Sequence, residues 1–402
     1  MNINRKARLI FVVLLLLELL GCARLDAAIH LNHSAELINT GEYKSAISEA
    51  TQAIAIKPDY HLAYIDRGLA YTLAREYDNA RADYIYAIAL KPEEAVAYLN
   101  YANLLYYLRK TPEAIEVTQK FLRIHPKSML MKIGLAGAYE AQDKNNEAYD
   151  LTSDVLSKLE ISGIEDVEEL KYIIKDNFFT HVYGLHAVVA AALHKNNEAS
   201  NSIAKAKTYR NDLTTHYYMA KIYYIKGNWQ QSVNELKNGY IQATKEQLDS
   251  PLGFESSFLL GNSYFKMGDM QKAIEAYEHF LSANKFDKKA FLNLGLAYEK
   301  LGYNRSAIDN YTSAFNLDNN LLEALTYRGS IYNKKKQYSD AISDFSTVLD
   351  QQPRNTDALL GRAYAQCMNG NRSMAKNDLV AVLTIEPGNN QAKKALTECG
   401  NR

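Results

Sequence analysis

The chain is poor in residues that interrupt helices. Of its 402 residues only 7 are proline and 19 glycine. Few β-branched runs accompany them, and that composition favours helix over strand. Cysteine occurs only at Cys22, Cys367 and Cys399, whose spacing matches neither a zinc site nor a redox pair. Neither sign of charge is in excess, at 46 basic and 46 acidic residues, so nothing global points to nucleic acid. His-Glu-x-x-His, Gly-x-Ser-x-Gly and glycine-rich phosphate loops are all missing, and the chemistry they carry is excluded with them. His30 and His33 lie three apart without a third ligand, and His181, His186 and His194 share no metal spacing. No metal or other cofactor is expected. Nor does any apolar run reach the roughly 20 residues that span a bilayer.

What the chain does have is a beat. An alanine returns every 34 residues, at Ala46, Ala80, Ala114 and Ala148, and again at Ala273, Ala307, Ala341 and Ala375. Pro58, Pro92 and Pro126, then Pro353 and Pro387, keep the same spacing. A fixed period of this length implies stacked units rather than one unique core. Within the second unit Tyr64, Gly68 and Tyr71 fall on one helical face, and Ala80, Tyr84 and Ala87 on another. The turn is expected at Glu76-Tyr77-Asp78-Asn79. Lys91-Pro92 is expected to end the second helix, because the residue before proline disfavours helix.

This pattern resembles the tetratricopeptide repeat. Residues 61–94, 254–287, 288–321 and 322–355 match it best. Weaker units start near Ala27, Ala95, Met129, Thr180, Leu213 and Thr356. The resemblance implies an all-α, right-handed superhelical solenoid of about ten helix-turn-helix units with a C-terminal capping helix. It also implies that the first helix of each unit lines a concave groove for protein or peptide partners. Transferred residue by residue, the groove positions are Tyr106, Tyr107, Tyr217, Lys221, Tyr224, Phe258, Asn262, Phe265 and Tyr364. Tyrosine suits such a surface, giving large contact area at small entropic cost. The carboxylate-clamp form of the repeat is excluded: Asn100 and Asn103, and Lys289 and Asn293, are not in neighbouring units.

The first residues read as a targeting segment. Arg5, Lys6 and Arg8 precede an apolar run from Leu9 to Leu17, and Leu19-Leu20-Gly21-Cys22 follows. The last four resemble the lipobox of bacterial lipoproteins, which implies cleavage before Cys22 and lipidation of its thiol. Such a chain would be held at the membrane by its lipid, with the outer membrane facing the periplasm as the expected place. Glu18 departs from the family's apolar preference, so an uncleaved N-terminal anchor is the alternative.

The expected organisation is therefore a signal peptide over 1–21, N-terminal units over 22–160 and an insertion over 161–179. Degenerate middle units (180–253), C-terminal units (254–389) and a capping helix (390–402) follow. Gly400 is expected to cap that last helix. An oxidising compartment would allow Cys367 and Cys399 to join. The expected function is non-enzymatic: a scaffold or adaptor in the cell envelope, by family analogy in pilus or secretion-channel assembly or in recruiting cell-wall enzymes. A regulatory subunit of an envelope enzyme, using the insertion, is the other alternative.

Overall fold

The structure, a computed structural model, describes residues 25–162 and 175–401 apart from 39 and 249. Among the described residues there is no β-strand, and no helix is long and apolar enough to cross a membrane. The chain divides into two compact units, Met1–Arg210 and Asn211–Arg402. The first contains α1 (25–38), α2 (Tyr43–Ile56), α3 (His61–Leu73), α4 (Tyr77–Leu90), α5 (Ala95–Tyr107), α6 (Thr111–Ile124), α7 (Met129–Glu140), α8 (Asn145–Ser162), α9 (Lys175–Ala192) and α10 (Asn196–Tyr209). The second contains α11 (Leu213–Ile225), α12 (Trp229–Gln242), the short α13 (Lys245–Leu248), α14 (Pro251–Met267), α15 (Met270–Ala283), α16 (Lys288–Lys300), α17 (Asn304–Leu317), α18 (Leu322–Lys334), α19 (Tyr338–Gln351), α20 (Thr356–Met368), α21 (Arg372–Ile385) and α22 (Asn390–Asn401). Apart from α13 and the terminal α22 they form ten helix pairs, the solenoid that the repeat implies.

Each pair reverses through one left-handed residue. Five of these are glycines, such as Gly268 and Gly302; the others are Arg75, Arg109, Asp143, His194 and Lys336. The amide after the left-handed residue closes the helix end, as Glu76 N does on Tyr71 O at 2.8 Å. Because that turn is so tight, Tyr77 already belongs to α4 rather than to the turn expected there.

Inside a pair the two helices meet ring against glycine. A Cβ on Gly68 would lie 2.7 Å from the Tyr84 ring; on Gly261 or Gly295 it would lie 2.6 Å from Tyr277 or Tyr311. These rings are almost wholly buried. Where the glycine is missing, the ring sixteen residues on is missing too. Ala102 is matched by Thr118, Ala136 by Thr152, Ala220 by Leu236 and Ala363 by Leu379. Volume is thus exchanged across the pair, at nearly constant sum where Ala faces Leu and with a smaller total where Ala faces Thr.

Three pairs add an ionic staple. Arg67 grips Asp83 with two bonds of 2.8 Å, and its third nitrogen donates to Thr51 of the preceding pair at 3.2 Å. Arg328 does the same with Asp344 and Thr312, and Arg362 with Asp378 and Ser346. All three aspartates are buried. Loss of either partner would leave a buried charge uncompensated and destabilise the pair strongly.

At the C-terminal end α22 covers the last pair, and a disulfide joins Cys367 on α20 to Cys399 on α22. The helix continues through Gly400 to Asn401, so that glycine does not cap it. Ahead of α14, the register shift near 249–253 is taken up by α13 and an extra N-terminal turn that begins at Pro251.

The ring-on-glycine contact makes a quantitative expectation. Gly295→Ala destabilises by about 1–3 kcal/mol through overpacking against Tyr311. In a Tyr311→Leu background the same change costs less than about 1 kcal/mol, because Ala with Leu is the combination used elsewhere in the chain. Urea unfolding of the four proteins in the cycle measures this, and strictly additive effects would refute the volume-exchange account.

Candidate partner-binding faces

Successive first helices approach one another, α3 to α5 and α5 to α7, and likewise α14 to α16 and α18 to α20. Among the described residues no two successive second helices come comparably close. Each stack therefore curves with its first helices inside, and the side chains these helices expose line the inner face.

In the N-terminal unit that face is apolar. Along α3 Leu62 and Leu73 are exposed with Asp66 and Leu69 half-buried between them, a single stripe at helical spacing. Val96, Leu99, Asn103 and Tyr106 continue it on α5, and Leu130, Ile133, Gly134 and Gly137 on α7. Leu62, Leu73 and Val96 are 37%, 41% and 44% exposed. Tyr106 is half-buried, with the Arg109 guanidinium 5.9 Å from its ring. Tyr107 turns away towards α4, where its ring packs on Tyr77 at 5.6 Å.

Asp66 is the one charged side chain on the stripes of α3 and α5. Among the described residues no side chain gives it a hydrogen bond or ion pair, while the neighbouring Arg67 is committed to Asp83. Burial alone pushes its carboxyl up to about 6.

The second unit presents a different inner face. Along α16, α18 and α20 the outward residues include Lys289, Asn293, Glu323, Thr326, Asn333 and Asp357. Polar side chains there bond from helix to helix. Asn293 donates to Asn262 Oδ1 (3.0 Å), which also accepts from the Tyr277 hydroxyl (2.8 Å). Lys334 reaches Glu299 at 2.7 Å, and the Asn333 amide donates to Gly361 O at 2.9 Å. A cavity of about 410 Å³ opens at the start of α18 and α20, lined among others by Glu323, Thr326, Tyr327, Gln352, Asn355 and Asp357.

The residues singled out in the sequence are distributed unevenly over this face. Tyr217 and Tyr224 are half-buried against the cluster of Ala220, Leu236 and Leu259, and Lys221 stands 5.7 Å over the Tyr217 ring. Phe258 packs inside its pair, 5.1 Å from Phe280, and Phe265 leans on the same core. Tyr364 is 51% exposed, 6.3 Å from Tyr338. The leucines of α3 and Asp66 were not singled out, although counting every third and fourth residue along α3 would have found them. Cys22, and the part of the insertion at 163–174, lie outside the described residues.

Among the described residues no group of three or more histidines, cysteines or acids is placed to hold a metal. His30 and His33 instead both reach Glu49, at 2.6 and 3.5 Å, and the bond from His30 holds that carboxyl below its usual range.

Asp66 should carry a pH signature. Its folded carboxyl holds a proton more tightly than the unfolded one, so the contribution of Asp66 to stability is most favourable at acid pH and falls as pH rises from 3.8 through about 6. Asp66→Asn removes that penalty. The variant is expected to be more stable than its parent by about 1–2 kcal/mol at pH 7.5, and equal to it near pH 4. Urea titrations at the two pH values measure the difference; a less stable variant at pH 7.5 would show that the carboxylate has a partner.

Comparison with known proteins agrees with this geometry. A family model described as the tetratricopeptide repeat protein 21 C-terminal ARM domain matches residues 153–357, just over half of the chain. Tetratricopeptide repeat models match residues 32–95 and 96–128. No curated protein matches. Among solved structures, the APC/C hetero-tetramer Cut9-Hcn1 is similar over 93% of this chain and 76% of that one, with TM-score 0.55 and 15% identity. A tetratricopeptide repeat protein from Parabacteroides merdae has TM-score 0.49 and 13% identity, over 68% of this chain and 98% of its own. YrrB, described as a tetratricopeptide repeat protein with an unusual peptide-binding site, has TM-score 0.43 and 20% identity, over 49% and 97%. At such identities the likeness is one of fold. The 34-residue beat, the helix pairs and the matching family models together place this chain in the tetratricopeptide-repeat family.

Proposed function

We propose that the protein is a non-enzymatic scaffold of the bacterial cell envelope that holds polypeptide partners on the inner faces of its helix stacks. The observation that carries this reading is the row of outward side chains on successive first helices within each unit, apolar in the N-terminal unit and hydrogen-bonding in the C-terminal one. Open, many-residue surfaces of this kind suit a chain-like ligand better than a small molecule, which favours an enclosed pocket. Lipidation at Cys22 tethers the scaffold, a reading supported by Leu19-Leu20-Gly21-Cys22 after a short basic and apolar stretch.

Photo-crosslinking in cells tests the binding face. A crosslinking residue at Leu69 or Tyr364 is expected to capture a polypeptide, and one at the exposed Lys120 of α6 is not. Capture from Lys120 alone would place binding on the outer helices instead. For the anchor, labelled palmitate is expected to enter the wild-type chain and not Cys22→Ser, which should also leave the membrane fraction. An unlabelled wild-type chain that retains Met1 would point to the uncleaved anchor.

A further inference from the structure

We propose that the inner face of the N-terminal unit takes an amphipathic helix of a partner polypeptide. Its apolar side covers Leu62, Leu69, Leu73 and Val96, and one lysine or arginine within that side pairs with Asp66. The inference rests on reading this face as polypeptide-binding and names the chemistry of the ligand.

Two physical arguments lead to a helix with one cation. The first concerns backbone satisfaction. An extended peptide laid here would need partners for its amides and carbonyls, and along the stripes of α3 and α5 only Asn100 and Asn103 offer amide groups. A helix satisfies its own backbone and asks only for apolar contact at i, i+3, i+4 and i+7. Room for it exists over α7: a Cβ at Gly137 would meet nothing within 4 Å, and one at Gly134 only Leu99, at 3.9 Å.

The second argument concerns Asp66. Covering its carboxylate with apolar surface alone would leave an uncompensated charge or force the group to take up a proton, and either weakens binding at neutral pH. A ligand that brings a cation to that point is therefore favoured over a neutral helix, and an acidic one is disfavoured by the same group. Pairing of the face with itself in a second copy fails for this reason, since no cation on the stripes of α3 and α5 would meet either carboxylate.

Selection from a displayed library of helical peptides tests this, using the full chain and its Asp66→Asn and Asp66→Lys variants. Against wild type, enriched peptides should carry one basic residue three or four positions from apolar anchors. Asp66→Asn should lose that preference and bind the same peptides at least about tenfold more weakly; Asp66→Lys should select an acidic residue there. A charge preference that is absent, or unmoved by the swap, overturns the proposal. A crosslinker at Leu69 separates the two levels. Capture of peptides there without charge dependence removes the Asp66 pairing but leaves a polypeptide-binding face; no capture removes both. Crosslinking at Leu69 to residues 1–24 of the same chain, or to a second copy, would also overturn the proposal.

Discussion

Everything in this molecule depends on how closely two helices of one pair can approach. The ring of Tyr84, Tyr277 or Tyr311 occupies the space where the facing glycine's Cβ would stand. That contact sets the spacing within a pair, and the turn residues and staples are consistent with it. A left-handed residue reverses the chain within the few residues that such an approach leaves. The Arg–Asp staples then join a pair to its predecessor through a second-helix hydroxyl, so one guanidinium spans three helices. Stability in such arrays is a sum of local terms, and these are the local terms.

Curvature follows from the same layering, and function from curvature. First helices that lie close together leave a continuous inner surface, and the repeat places outward residues on it at fixed intervals. The core positions of each pair are constrained by packing; the outward positions are not. That freedom is what lets one fold carry an apolar stripe with a lone carboxylate in one unit and a ladder of amides and charges in the other.

Much of this was legible in the sequence. The period, the helix pairs and the small residues at crossing points all come from packing constraints that leave a regular trace, as Gly68 facing Tyr84 shows. The faces were harder to read. Phe258 occupies a position that the family directs into the groove, yet its ring sits against Phe280, because a large apolar side chain near the crossing gains more from burial than from exposure. Asp66 falls on the spacing of the α3 stripe, but spacing does not set it apart. Its significance comes from what is missing around it, and an absent partner cannot be read from spacing. The staples hide for a different reason: Arg67 and Asp83 are sixteen residues apart and look like two surface charges until the helices are folded together.

The disulfide at the end of the second unit gives that unit a direction. A stack of locally stabilised pairs ordinarily frays from both ends, each terminal pair having one neighbour where inner pairs have two. Cys367 and Cys399 close a segment with a sequence separation of 32 and hold α22 on α20 even when the non-covalent contacts of α22 open. Reclosure at that end is then an intramolecular event with little entropy left to lose. While the bond is intact, a protease acting on transiently opened backbone would therefore find this end of the unit protected.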